Sequence, residues 1–128
     1  MRLLLDTHIF IGLSRQTLFV GHPKFLRAIL EKESESFVSV ASIWEIAIKT
    51  RLGKLDAGLP PEKVAQYCMG LGLKVLPIQA AHATAVLDPE PNTRDPFDRL
   101  LLAQCKTESL QLVTVDRALA EHPLSLQI

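Results

Sequence analysis

The chain lacks a surplus of either charge, a pair of closely spaced cysteines and any long apolar run. Its 14 Lys and Arg balance 14 Asp and Glu, which argues against nucleic-acid binding through bulk positive charge, because such binding needs a basic surplus. Cys68 and Cys105 form no CxxC pair and have no zinc-ligand spacing, so we predict buried free thiols. No apolar run approaches the roughly 20 residues that span a bilayer.

The amino-terminal segment also lacks the features of an export signal. MRLLLDTH has four apolar residues before an aspartate interrupts them, which is too few for the apolar stretch of a signal peptide. Free thiols suit a reducing compartment. Together these absences predict a cytoplasmic protein with no membrane partner.

What the chain does have is enough apolar sequence for one domain. It contains 128 residues, of which 48% are hydrophobic, so we expect a single domain over residues 1–128 with a full core. Short apolar runs predict strands at 3–5, 37–40, 73–76, 112–115 and 124–126. Helical patterns cover 23–30, 43–52 (capped by Ser42), 60–70, 79–87 and 96–108. This alternation predicts an α/β fold, a three-layer α/β/α sandwich around a mostly parallel sheet of about five strands.

Acidic residues fall where the strands of such a sheet would end. Asp6 directly follows the first strand and Asp116 the fourth, and ligands bind beyond the carboxyl ends of parallel strands. Glu45 lies one turn into the helix after the second strand, and Asp95 and Asp98 begin the helix 96–108. Five carboxylates converging at one edge would repel one another unless a cation neutralised them. Oxygen ligands without His or Cys point to Mg²⁺ or Mn²⁺.

Each acid also has a purely structural explanation. Asp95 is an ordinary N-cap, Asp98 suits a first helical turn, and Asp116 could cap a helix over 117–120. Glu45 could form a surface ion pair with Lys49, four residues on, although its apolar surroundings predict burial and hence a need for a partner. The joint placement of the acids at one sheet edge, more than any single residue, indicates a site.

Motifs of other α/β enzymes are missing. The sequence has no GxGxxG, no GxxxxGK[ST] and no GxSxG, which excludes the usual dinucleotide, P-loop and serine-hydrolase sites. A phosphoaspartate phosphatase would need an aspartate two residues after Asp6, where this chain has His8.

Four segments give the chain a family resemblance. LLDTH (4–8), SIWEIAIK (42–49), RDPFDRLLLAQ (94–104) and LVTVD (112–116) resemble PIN-domain ribonucleases, specifically the VapC-like toxins of bacterial toxin–antitoxin pairs. The resemblance implies an endoribonuclease that uses one or two Mg²⁺ or Mn²⁺ ions to cleave RNA, a cognate antitoxin that inhibits it, and a homodimer. It makes Asp6, Glu45, Asp98 and Asp116 the four acidic residues of the site, while Asp95 caps a helix or binds metal through water.

Other polar residues near the predicted site have supporting roles. Thr7, Ser39 and Thr114 are placed to hydrogen-bond phosphate or water, and Lys49, Arg94 and Arg99 either contact the RNA backbone or balance the carboxylates. We expect exposed apolar surface from Phe19, Val20, Phe25 and Leu26. Two alternatives stay open: a PIN-like binding module without catalysis, and an RNA-processing nuclease without an antitoxin.

Overall fold

The structure is a computed structural model that describes the backbone of residues 1–128 and every side chain except that of Phe19. Four strands form one sheet, in the order β3-β2-β1-β4, and each neighbouring pair is parallel. The strands are β1 (Arg2–Leu5), β2 (Glu35–Ser39), β3 (Lys74–Leu76) and β4 (Gln111–Val113).

The fifth predicted strand is reduced to a single bridge. Ser125 pairs in parallel with Leu112, and the Leu112 amide and carbonyl bond to Leu124 and Leu126, both at 2.8 Å. Only one residue of β4 takes part, so the segment continues the sheet beside β4 without becoming a regular strand. The prediction of a mostly parallel sheet of about five strands is confirmed in this form.

Eight α-helices surround the sheet. They are α1 (Thr7–Ser14), α2 (Leu18–Gly21), α3 (Pro23–Leu30), α4 (Val40–Arg51), α5 (Val64–Gly70, after a 3₁₀ turn at Pro61–Lys63), α6 (Ala80–Thr84), α7 (Pro96–Glu108) and α8 (Arg117–Ala120). Among the described residues, none of these helices has the length and apolar character that crossing a bilayer requires.

Strand β1 shows how the layers arise. Successive strand residues face opposite sides of a sheet, so Leu3 and Leu5 join one apolar cluster and Leu4 joins the other. The first cluster includes apolar residues of α1, α3 and α5, and the second includes those of α7 and α8. Both cysteines are buried and free, as predicted.

Helix α4 begins earlier than its sequence pattern suggested. The prediction that Ser42 caps this helix is wrong: Ser39 is the N-cap, and its Oγ accepts from the Ala41 amide at 3.0 Å. The strand-like run 37–40 hides this boundary, because β2 ends in extended conformation at Ser39 and the helix starts at the next residue. Helix α6 is also shorter than predicted, since Ala85 already returns to extended backbone.

The expected apolar surface is present only in part. Val20 is exposed, whereas Phe25 and Leu26 are partly buried against the first apolar cluster. The side chain of Phe19 lies outside the described residues.

Candidate active site

Asp6 connects the sheet to the site. It follows β1 and caps α1, and its Oδ1 accepts a hydrogen bond from the Ile9 amide at 2.8 Å. The side chain is buried, and this burial raises the pKa of Asp6 against the opposing effect of a hydrogen bond from Thr114. The first acidic residue therefore sits at the carboxyl edge of the sheet with a fixed orientation.

Glu45 is buried on α4, and both of its carboxylate oxygens have partners. Oε1 accepts from the Thr7 hydroxyl at 2.6 Å, and Oε2 pairs with Lys49 Nζ at 2.6 Å. The Thr7 hydroxyl also lies 2.9 Å from Ser42 Oγ. The hydrogen bond to Glu45 raises the pKa of Lys49, and Asp95 and Asp98 add to the effect. The Glu45–Lys49 ion pair predicted as the structural alternative thus exists within the site.

Helix α7 brings two further acids. Asp95 is its N-cap, as predicted, and its Oδ1 accepts from the amides of Phe97 at 2.8 Å and Asp98 at 3.4 Å. Asp98 stands in the first turn. Burial, followed by repulsion from the other four carboxylates of the site, raises the pKa of Asp98 to about 6. The negative charge of all four other carboxylates therefore contributes to the raised pKa of Asp98.

Asp116 follows β4 and caps α8. Its Oδ1 accepts from the Ala118 amide at 2.8 Å, and its own amide donates to Thr114 Oγ1 at 3.1 Å. Thr114 is buried, and it lowers the pKa of the Asp6 carboxyl. The Asp6 amide donates to the Val113 carbonyl at 3.1 Å, which joins the start of the loop after β1 to the end of β4.

These side chains line one small cavity of about 50 Å³. That volume admits a few water molecules, each of which needs roughly 10–15 Å³ on this measure. The lining residues are Asp6, Thr7, His8, Glu45, Lys49, Asp95, Asp98 and Asp116. The convergence of five carboxylates predicted from the sequence is thus the arrangement that the structure has.

Other predicted residues lie elsewhere. Ser39 is fully buried as the cap of α4 and does not line the cavity. Arg94 is exposed outside the cavity lining. Arg99 Nε pairs with Glu90 at 2.6 Å, and its guanidinium also donates to the Ala85 carbonyl.

Two residues of the site were not predicted from the sequence. His8 lines the cavity, and Ser42 supports Thr7. Ser42 had a signal, because it precedes Glu45 by three residues and so shares its face of the helix. For His8, the nearest signal was its position two residues after Asp6.

The donor chemistry of the cavity fits a hard divalent cation. Its acidic groups supply only oxygen, which Mg²⁺ and Mn²⁺ prefer. The raised pKa of Asp98 reflects burial first and then the negative charge of its neighbours, which a cation would offset. No three acidic, histidine or cysteine groups among the described side chains are arranged to hold one ion together. Mg²⁺ commonly uses one or two carboxylates and keeps several waters, so the residues present suit such a site.

Comparison with known proteins identifies the family. A model described as the PIN domain matches residues 3–123. This chain belongs to the PIN-domain family. Among solved structures, a chain of VapBC2 from Rickettsia felis, crystallised with a DNA fragment from their promoter, superposes on this PIN domain with a TM-score of 0.61. The two are 16% identical, over 98% of this chain and 96% of the other.

The family resemblance read from the four motifs is therefore confirmed, as is the α/β fold with a parallel central sheet. At this level of identity, the VapBC2 likeness concerns the fold of the PIN domain. A search among curated proteins gives no match.

Proposed function

We propose that this PIN-domain protein is a divalent-cation-dependent endoribonuclease and the toxin of a toxin–antitoxin pair. One observation carries the proposal: five carboxylates from four separate segments line a single cavity at the carboxyl edge of the parallel sheet. Helix caps and ion pairs do not require these acids to lie together. Clustering them costs free energy through charge repulsion unless a cation is bound.

The metal would be Mg²⁺ or Mn²⁺, one or two ions. Asp6 and Asp98 would hold it chiefly, Glu45 and Asp116 directly or through water, and Asp95 through water or only as a cap. When bound, the cation supplies positive charge that polarises a phosphate oxygen and makes water a better nucleophile.

The protein side chains position the reacting groups. Thr7 and Lys49 hold both oxygens of Glu45, so this carboxylate can orient a water without moving itself. Oδ1 of Asp116 is engaged by the cap of α8, which leaves Oδ2 for the same task. In-line attack of the water would release a 5′-phosphate and a 3′-hydroxyl, as the family resemblance implies.

Contacts to the RNA backbone would come from cations near the cavity. Lys49 lines it and stays protonated, since its pKa is raised, and Arg94 is exposed just before α7. Arg99 and Ser39 already have protein partners, so they have no part in this proposal.

The toxin assignment draws on the four motifs and on the fold shared with a chain of VapBC2. It implies a cognate antitoxin and a homodimer. Because the substrate would be cellular RNA, the proposed site of action is the cytoplasm.

The test is cleavage of a labelled RNA with added Mg²⁺ or Mn²⁺. Asp6→Asn or Asp98→Asn should lower the rate at least about 100-fold, since each removes charge that holds the cation. Asp56→Asn is the matched control: Asp56 is exposed and lies outside the cavity, and its side chain accepts from the Gly58 amide, so this variant should cleave at the wild-type rate.

Three outcomes would overturn the assignment. Cleavage that survives both substitutions, or that persists in excess chelator, would exclude the proposed site. A wild type that binds RNA without cleaving it would instead be the non-catalytic module.

A further inference from the structure

We propose that Trp44, supported by Phe97, is a stacking platform for an unpaired nucleobase next to the phosphate being cleaved. The platform rests on the nuclease function proposed above and narrows its substrate to single-stranded RNA or an unpaired loop.

Sequence and geometry place the two rings beside the acidic cavity. Trp44 directly precedes Glu45 on α4, and Phe97 directly precedes Asp98 on α7. Their ring centroids are 5.6 Å apart, with an interplanar angle of 79°. The helices that supply two of the carboxylates are therefore also joined by this edge-to-face aromatic contact, a favoured geometry for such pairs.

The two rings differ in exposure. Phe97 is half-buried and packs on the second apolar cluster, whereas Trp44 is 56% exposed. One ring is thus anchored in the core, and the other is held against it with much of its surface open to solvent. Tryptophan combines a large apolar ring with a polar N–H and is enriched at binding interfaces.

RNA chemistry matches this surface. Every nucleobase has a π-face, and stacking on an aromatic side chain works without sequence preference. Proteins that act on RNA commonly splay single-stranded bases onto aromatic rings, which a paired base cannot reach. Because each ring belongs to the residue directly before a carboxylate of the cavity, a base stacked on Trp44 would adjoin a phosphate bound there.

A protein partner is the competing occupant of this helix. Val40 and Trp44 of α4 and Leu52, the C-cap residue of this helix, are exposed apolar residues at intervals of four and eight positions. A partner covering the whole helix would bury all three, whereas a base would need only Trp44. Continuity with the carboxylate cavity favours the base, because the cavity adjoins Trp44 through Glu45, and Leu52 lies at the far end of the helix.

Trp44 is the single tryptophan of the chain, so intrinsic fluorescence reports on it directly. The probe is a short single-stranded RNA oligonucleotide, titrated into the non-cleaving Asp6→Asn variant, beside a duplex of the same sequence. We expect saturable quenching by the single strand and much less by the duplex.

Kinetics supply the second readout. Trp44→Ala should raise KM for the single-stranded RNA about 5- to 100-fold with little change in kcat, in line with the usual contribution of one stacked base. Trp44→Phe should keep most of the affinity. Leu52→Ala, equally exposed on the same helix, is the matched control and should behave as wild type.

The outcomes separate the two proposals. Absence of quenching, or a Trp44→Ala variant with an unchanged KM, overturns the platform while the nuclease stands. A wild type that does not cleave overturns the nuclease, and quenching still decides whether a base stacks on Trp44. If Trp44→Ala and Leu52→Ala both reduce the oligomeric mass in solution, the face of α4 is a protein interface and the platform is wrong.

Discussion

At the scale of single residues, Asp98 shows the effect of the clustered acids on one carboxyl group. Burial and the four neighbouring carboxylates raise its pKa to about 6, whereas its ordinary value is 3.8. At neutral pH, ionised Asp98 therefore lowers the stability of the folded protein, and a bound cation would remove this free-energy cost.

This cost predicts how stability depends on pH. The folded state binds the Asp98 proton more tightly than the unfolded state does. Protonation of Asp98 therefore stabilises the folded state fully below about pH 4, and this contribution is lost as the pH rises through 6. Asp98→Asn should thus raise the free energy of unfolding at pH 7, without divalent cations, by about 1 kcal/mol after allowance for solvent screening. At pH 4 the gain should be much smaller.

Urea denaturation in chelator at both pH values measures the effect. The same experiment with Mg²⁺ is the control, because the cation should stabilise the wild type more than the variant. Equal stability of the two proteins at pH 7 would contradict the charge repulsion inferred for Asp98.

At the scale of secondary-structure elements, three carboxylates of the site are also helix N-caps. Asp6 caps α1, Asp95 caps α7 and Asp116 caps α8. Each uses Oδ1 to accept from backbone amides, so the cap does not require Oδ2. The positive ends of the helix dipoles partly offset the clustered charge. The structural and functional explanations of these acids are thus compatible.

The shared role predicts different effects for two substitutions of Asp116. Asparagine caps a helix as well as aspartate does, whereas alanine cannot accept the bond. Asp116→Ala should therefore lower the free energy of unfolding by about 1 kcal/mol, and Asp116→Asn should leave it nearly unchanged. Both should reduce RNA cleavage to a similar extent, because both remove the carboxylate. Denaturation and cleavage assays on the two variants check this; equal stability of the two would mean that the cap bond contributes little.

Helix boundaries were predictable where a cap and a proline coincide. Asp95 and Pro96 specify the start of α7, and the observed helix ends at Glu108 as expected. The start of α4 was not predictable from the sequence, because Val38 and Val40 both suit a strand. The strand ends at Ser39 because the pairing of β2 with β1 and β3 extends no further.

At the scale of the whole molecule, the neutral net charge conceals a separation. Five acids and Lys49 line the cavity, which leaves thirteen Lys and Arg against nine Asp and Glu elsewhere. A bound cation would turn the cavity from repelling phosphate to attracting it, and the rest of the chain is mildly basic. Neutral composition is therefore compatible with an RNA-cleaving protein.

The toxin role is tested in cells. Expression of the wild type should arrest growth, and Asp6→Asn at the same level should not, since the arrest would require RNA cleavage. Co-expression of a small DNA-binding protein encoded next to this chain should restore growth. Colony counts after induction measure all three. If the wild type cleaves RNA in vitro yet leaves growth unaffected, the protein is an RNA-processing nuclease and no toxin.

The sequence by itself determined the alternation of strands and helices, the acids that follow the strands, and the motifs of the PIN-domain family. These features depend on local periodicity and on single residues at strand and helix ends, which the order of the chain records directly. It also indicated that Glu45 would be buried with a partner, because apolar residues surround it.

Only the tertiary structure decided which of these residues meet. Thr7 of α1 donates to Glu45 of α4, the Asp6 amide donates to the Val113 carbonyl of β4, and Arg99 pairs with Glu90 instead of a group of the cavity. Trp44 of α4 lies exposed against Phe97 of α7, a contact between residues 53 positions apart. Such pairings join segments far apart in the chain, and they follow from the order and register of parallel strands, which no local pattern specifies.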